Sequence, residues 1–458
     1  MKTLKRLRSL TFLFLGLILV TSCSDDDSPA PFVPTNSILE LAQATDQLSS
    51  LEAALTKYPD LVSLLGGTGN FTVFAPNNDA FDALLVAIGQ ESIDDIPEDV
   101  LKNILQYHVF TAAAVPASAV TTGPITMAND EVADLVSDAN GVSIEGAQVI
   151  LADVTGTNGI VHVINNVIVP PSILPIVGTI VAPAYFNKDF SILIDAVLAA
   201  DTDILSALLG NGTGNGLTLF APTNAAFAAA GITDVNSQDA VLLYHVVDGT
   251  VMAADLPDSG IAAAEVLTLG GNIYVTNAGS GVFINGKTEV TATNIMGSNG
   301  VVHVIDRTLI PPTQDIVEIV SEFAGGNPAE FSLLAAALTK AGLIDTLKGD
   351  GPFTVFAPTD AAFLTAGVDQ AFIDAADAAD LVPILTHHVV EPSVYVFSSD
   401  VADGAVPMLN GSNVTISGLT ILDGAGNTPA ANLVPSLLDV HATNGVIHVI
   451  DKVLLPSS

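Results

Sequence analysis

Histidine is the side chain best suited to move protons or bind metals near neutral pH. Six of the eight histidines in this 458-residue chain stand at repeated positions: His108 and His162, His245 and His303, His388 and His448. The members of each pair lie 54, 58 and 60 residues apart. A zinc site wants three or four ligands, so two recurring imidazoles per repeat fall short, and no metal is expected. His162 sits between Val161 and Val163 in a run that is apolar on both faces. A buried, neutral, hydrogen-bonded imidazole that holds neighbouring backbone is the expectation there and at His303 and His448. His387 and His441 are extras of the third repeat. Other chemical signatures fail. The glycine run 210 to 216 lacks the Lys-Ser/Thr ending of a phosphate loop, and neither a G-x-S-x-G elbow nor an H-E-x-x-H helix occurs. Asp374, Asp377 and Asp380 fall at helical spacing and read as a solvated helix face. These residues point to no catalytic centre and no cofactor, and the chain is not expected to be an enzyme.

A long repeat positions these residues. "FTVFAPNNDAF" from 71 returns as "LTLFAPTNAAF" from 217 and "FTVFAPTDAAF" from 353. "GIVHVINNVIVPP" from 159 returns as "GVVHVIDRTLIPP" from 300 and "GVIHVIDKVLLPSS" from 445. Between the two blocks come "YHVF" at 107, "YHVV" at 244 and "HHVV" at 387. The first block recurs after 146 and 136 residues and the last after 141 and 145. That period is too long for a solenoid unit and suits an independent domain. Three domains follow, at 37–171, 172–312 and 313–458. With 49% hydrophobic and 13% charged residues, each has material for its own core, and general disorder is excluded.

Within each repeat the periodicity changes from helical to strand-like. "DFSILIDAVLAA" (189 to 200), "LSSLEAALTKY" and "EFSLLAAALTKAG" read as amphipathic helices. In the FTVFAP corner a strand runs into Pro76, and Asn77, Thr223 or Thr359 can cap the helix that follows. Phe81, Phe227 and Phe363 then anchor that helix. "DIPEDVLKNILQYHV" places Val100, Leu101, Ile104 and Leu105 on one helical face, and the remainder alternates with Gly/Asn turns as hairpins do. The expected module is α+β, helices first and an antiparallel sheet or small barrel later.

The corner, the YH pair and the G-[IV]-[VI]-H-V-I block, in this order and three times over, resemble the fasciclin domain across residues 37–458. The resemblance implies three tandem modules, each a β-wedge or sandwich with packed α-helices. It also implies adhesion and matrix binding at a cell surface rather than catalysis. The pair region has been linked to receptor binding in animal members, which makes Tyr107, His108, Tyr244, His245, His387 and His388 candidate binding residues. His387 departs from the pattern by replacing the tyrosine.

The N-terminus carries Lys2, Lys5, Arg6 and Arg8, then an apolar run from Leu10 to Val20 that is short for a bilayer span. It ends at Val20-Thr21-Ser22-Cys23, which resembles a bacterial lipobox. Residues 1–22 are therefore expected to be a signal peptide and Cys23, the sole cysteine, the lipidated membrane anchor. Residues 23–36, acidic and carrying three prolines, read as a stalk reaching roughly 40 Å when stretched. Ser24 and the acids after it resemble outer-membrane sorting and surface-export signals. Cleavage would move the net charge from −37 to −41, since four of the twelve basic residues and none of the 49 acidic ones lie in the signal. Nucleic acid is thereby excluded as a partner. The expected function is adhesion to unknown protein or polysaccharide partners, homotypic contacts included. The alternative is an accessory lipoprotein capturing a glycan or other nutrient. With no tryptophan and six tyrosines, stacking platforms for sugars look scarce.

Overall fold

The FTVFAP corner decides the layout of each module, because proline ends a strand's ladder while the next residue starts a helix. The computed structural model describes residues 33–456, apart from 211–213, 233, 235–237, 257–262, 279–280, 328, 402 and 426–428. Residues 1–22, Cys23 and most of the stalk lie outside the described residues. In the first module α1 (Ile38–Gln43), α2 (Ser49–Leu55) and α3 (Pro59–Gly66) precede β1 (Phe71–Pro76). There follow α4 (Asn78–Ile88), α5 (Glu98–Gln106), β2 (Val109–Phe110), β3 (Gly123–Thr126), β4 (Val132–Asp138), β5 (Gly141–Ile144), β6 (Ala147–Gly156) and β7 (Gly159–Ile164). The Asn77 side chain accepts the Ala80 N–H at 2.9 Å, and Thr223 and Thr359 do the same for Ala226 and Ala362. Phe81, Phe227 and Phe363 are buried beneath these caps.

The sheet runs in the order β2-β1-β7-β6-β5-β4-β3. All pairings are antiparallel except β1 with β7. The sheet is thus mixed rather than antiparallel, since the first and last strands meet side by side after the meander has returned the chain in its original direction. Their register sets Phe71 opposite Gly159 and Phe74 opposite His162. A Cβ on Gly159 would lie 2.1 Å from the Phe71 carbonyl oxygen, and Gly300 and Gly445 face the same obstruction at 2.0 and 2.1 Å. Only glycine lets the two strands approach, which is why the G-x-x-H block opens as it does. The second module repeats the seven-stranded order. In the third the sheet divides into three strands and four, held together by single bridges Val390–Met408 and Leu433–Ile450.

Each module packs helices on one face of the β1/β7 pair and fills the wedge of the meander on the other. The wedge interiors are separate: Phe74, Leu135 and Ile144 in the first, Phe220, Ile273 and Ile284 in the second, Phe356, Ile416 and Ile421 in the third. The helical interiors are not all separate. One apolar cluster runs without a break from Ile38 and Phe81 through Ile176, Ile180 and Phe186 to Leu219 and Phe227. The expectation of three self-contained cores is corrected here. The segment 172–190 packs back on the 89–97 loop: Gln90 donates to the Pro183 carbonyl at 2.9 Å and the Lys188 N–H to that of Asp95 at 3.0 Å. The third module's helical core, around Leu334, Phe363 and Leu385, stays its own.

The acidic triplet is likewise corrected. Asp374 lies in helix Gln370–Ala375, Ala376 is extended at ψ 148°, and Asp377 and Asp380 belong to the start of helix Ala378–Thr386. The three carboxylates do not share one helix face. Among the described residues no group of three or more His, Cys, Asp or Glu could hold a metal ion.

Because the first two modules share one helical interior, a fragment spanning 37–312 is expected to melt in one calorimetric transition with equal van't Hoff and calorimetric enthalpies. Two resolved transitions would show independent interiors.

Candidate functional site

The chemically capable side chains stand at two places in each module, the end of its last α-helix and the last strand. In the first module Tyr107 caps α5 and His108 follows it. The Ile104 carbonyl lies 2.7 Å from His108 Nδ1, and a carbonyl only accepts, so Nδ1 carries the proton. The other nitrogen, Nε2, is then free to accept the Ile168 N–H at 3.0 Å. His245 repeats this between the Val241 carbonyl (2.7 Å) and the Leu309 N–H (2.9 Å). His388 repeats it between Ile384 (2.8 Å) and Leu454 (2.9 Å). Each imidazole clamps a helix end to the chain that exits the module. Burial pushes all three down to about 4, against the helix carbonyl that favours the charged form.

The second set lies on the last strand. His162 Nε2 donates to the Val115 carbonyl at 2.9 Å and Nδ1 receives the Asp153 N–H at 3.3 Å. His303 ties Val251 to Asn294, and His448 ties Val396 to Asp439, at nearly the same distances. Asp153, Asn294 and Asp439 are left-handed, with φ of 61°, 60° and 51°. In the first two modules they mark a bulge in the strand before. The bulge turns an N–H inward to meet the imidazole. Burial lowers His303 and His448, and the Asp439 carboxylate 3.7 Å from His448 Nδ1 opposes that shift.

The tyrosines of the YH pairs are equally internal. The Tyr107 hydroxyl donates to the Val132 carbonyl at 2.8 Å and that of Tyr244 to Asn272 at 2.7 Å. Desolvation pushes Tyr107 up and Tyr244 up to about 12. His387 takes the tyrosine's place in the third module: its Nδ1 lies 2.8 Å from Ser412 Oγ and 3.2 Å from Asn410 Oδ1. Burial lowers its pKa too. Tyr107, His108, Tyr244, His245, His387 and His388 are all no more than 3% exposed. The reading of them as contact residues is corrected: each side chain is folded inward onto neighbouring polar groups and leaves almost none of its surface for a partner.

Two further repeated ties escaped the sequence reading. Asn158, Asn299 and Asn444 immediately precede Gly159, Gly300 and Gly445, the glycines that open the last strand of each repeat. Each asparagine accepts an N–H at or just before a helix start (Ile38, Ile180, Ile316) and donates to two carbonyls ending another helix. Thr72, Thr218 and Thr354 each bridge a carbonyl and an N–H of the loop beside His162, His303 and His448. The asparagine recurs as N-G before all three blocks and the threonine as the second residue of all three corners, so the signal was present.

This arrangement, helices on a mixed sheet closed by internal polar ties, recurs in all three modules. The fasciclin domain model matches residues 46–170, 188–311 and 329–456, and the chain belongs to the fasciclin-domain family. It is 27% identical over 425 residues to transforming growth factor-beta-induced protein ig-h3 of Sus scrofa, covering 92% of this chain and 58% of that protein. It is 26% identical to human periostin, covering 92% and 47%. Protein sll1483 of Synechocystis is 40% identical over 144 residues, 31% of this chain and 76% of that one. The chain thus spans about half the length of these two animal relatives. Among solved structures, a domain pair from the insect cell adhesion molecule Fasciclin I aligns at 22% identity and TM-score 0.28, covering 58% of this chain and 96% of that one.

His108, His245 and His388 are neutral when folded and titrate near 6.5 when unfolded, so between these values the unfolded chain binds more protons. Stability is therefore complete above pH 6.5 and falls as pH drops towards 4, by up to about 3 kcal/mol per site. Urea midpoints from pH 7 to 4.5 in high salt would show it, and His388→Gln should flatten the slope. A midpoint that holds or rises over that range would refute the neutral clamps.

Proposed function

We propose that the chain is a non-enzymatic surface lipoprotein that attaches its cell to other surfaces through three fasciclin modules. The observation that carries this is the internal use of every repeated imidazole and tyrosine. The motifs build the modules, and recognition is left to exposed loops that differ from one module to the next. No helix among the described residues is long and apolar enough to cross a membrane, and a lipidated Cys23 supplies the tether in this reading. Membership of the fasciclin-domain family, which implies adhesion at a cell surface, supports attachment as the task.

Three modules on one tether make weak contacts add up. Once one module is engaged, the next binds at an effective concentration in the millimolar range. The shared helical interior of the first two modules favours this by fixing their faces relative to each other. The partners in this reading are proteins, polysaccharides or further copies of the chain. A net charge of −41 after signal cleavage keeps such copies apart at low salt and lets them approach as screening shortens the field.

Cells displaying the wild type should bind surfaces or one another, and Cys23→Ala should release the protein into the medium and abolish attachment. Equal attachment by cells that shed the variant would refute the proposal.

A further inference from the structure

The second and third modules meet in a way that the first two do not. The Tyr274 ring lies under that of Tyr395, with centroids 4.0 Å apart and planes at 32°. His441 stands edge-on to both, at 5.5 and 5.9 Å. Phe397 backs the group, parallel to Tyr395 at 6.2 Å. Thr276 and Asp400 hydrogen-bond across the junction, Ser399 donates to Thr276 at 2.9 Å, and Lys287 reaches the Leu438 carbonyl. These ties hold the rings in place before any ligand arrives.

Beside them opens a crevice of about 190 Å³, to which Tyr244, Asn272 and Tyr274 contribute from the second module and Tyr395, His441 and Thr443 from the third. Three of the chain's six tyrosines meet there, in a protein with no tryptophan. The glycine pair at its floor is required: a Cβ on Gly270 would lie 2.5 Å from the Tyr244 nitrogen, and Gly271 has φ +129°. Tyr274 is buried, whereas Tyr395 is half-buried and Thr443 exposed, so the crevice offers a ledge of ring surface edged with polar groups. His441 Nδ1 is shut from solvent with no hydrogen-bond partner, the one buried imidazole nitrogen so placed among the described residues.

The chemistry of this lining selects its ligand. None of the lining side chains is an acid or a base that is charged at neutral pH, since burial holds His441 down to about 4. An anion would find no counter-charge and a strongly acidic protein around it. A metal ion would find no carboxylate or thiolate. A cation wants a cage of aromatic faces, and here Tyr395 already covers Tyr274. A sugar ring matches what is offered, because it has an apolar face to lie on an aromatic ring and hydroxyls to meet polar edges. The volume falls below the roughly 300 Å³ at which drug-sized sites begin, which suits one sugar residue with its chain running outward.

We propose that the crevice between the second and third modules binds one residue of a neutral polysaccharide, its ring against Tyr395 and its hydroxyls on the solvent-facing edge of His441, on Thr443 and on Asn272. The inference rests on the binding-module reading of the chain, not on attachment as such. Since both modules line the crevice, an occupant also pins them to each other.

The full chain in detergent would be titrated with neutral hexaoses of glucose (β-1,4, β-1,3 and α-1,4 linked), mannose and galactose, by calorimetry and tyrosine fluorescence. Choline and polygalacturonate serve as cationic and anionic controls. At least one neutral hexaose should saturate. Tyr395→Ala should weaken it by about tenfold or more, His441→Gln should weaken it, and Tyr395→Phe should stay near wild type, with melting temperatures matching. No binding of any neutral hexaose, undiminished binding by Tyr395→Ala, or preference for choline or polygalacturonate would overturn the proposal. Loss of attachment in a chain that still titrates with the hexaose would overturn the attachment reading alone.

Discussion

A peptide N–H or C=O left unpaired in an apolar interior costs as much as a lost hydrogen bond or more, and this single constraint organises each of the three modules. The module wraps helices, a loop and a meander around one parallel strand pair, so several chain segments end inside without a ladder to receive them. Buried histidine, asparagine and threonine side chains take over that task. His108 and its counterparts fasten a helix end to the segment that leaves the module, His162 and its counterparts fasten a loop to a bulge, and Asn158 and its counterparts join three segments at once. Neutral imidazole is apt because it donates from one nitrogen and accepts at the other.

The same constraint explains why side chains that look reactive are not. An imidazole whose two nitrogens are both engaged and desolvated has neither the proton affinity nor the exposure that catalysis needs. The third module shows how the arrangement tolerates change. His387 replaces a tyrosine, yet it still reaches a neighbouring loop through Ser412 and Asn410, and the meander there separates into two sheets without losing its core.

The modules are joined by two unlike junctions. The first is apolar and continuous, so the helical interiors of modules one and two form one body. The second is aromatic and polar, with rings, a buried carboxylate and an open crevice. Desolvation raises the pKa of Asp400 there, opposed by hydrogen bonds from Thr276 and the Phe397 N–H. A chain of three similar units thus contains one fused pair and one interface with room for a ligand, which is the kind of asymmetry a repeat needs in order to bind anything at a particular place.

The sequence alone determined the repeat, the α+β order of each module, the capped corner at Asn77, Thr223 and Thr359, and the buried histidines of the last strand. These are local matters: period, proline, cap chemistry and apolar neighbours act over a few residues and are visible in a window of that size. Only the tertiary structure decided that the YH pairs point inward, that β1 lies parallel to β7, and that two helical cores merge. It alone placed Asp374 on a different helix from Asp377 and Asp380, and brought Tyr244, Tyr274 and Tyr395 together. Those facts depend on contacts between residues up to about 150 positions apart, such as Tyr244 and Tyr395. Distances of that kind are set by how layers pack, and no local pattern encodes them.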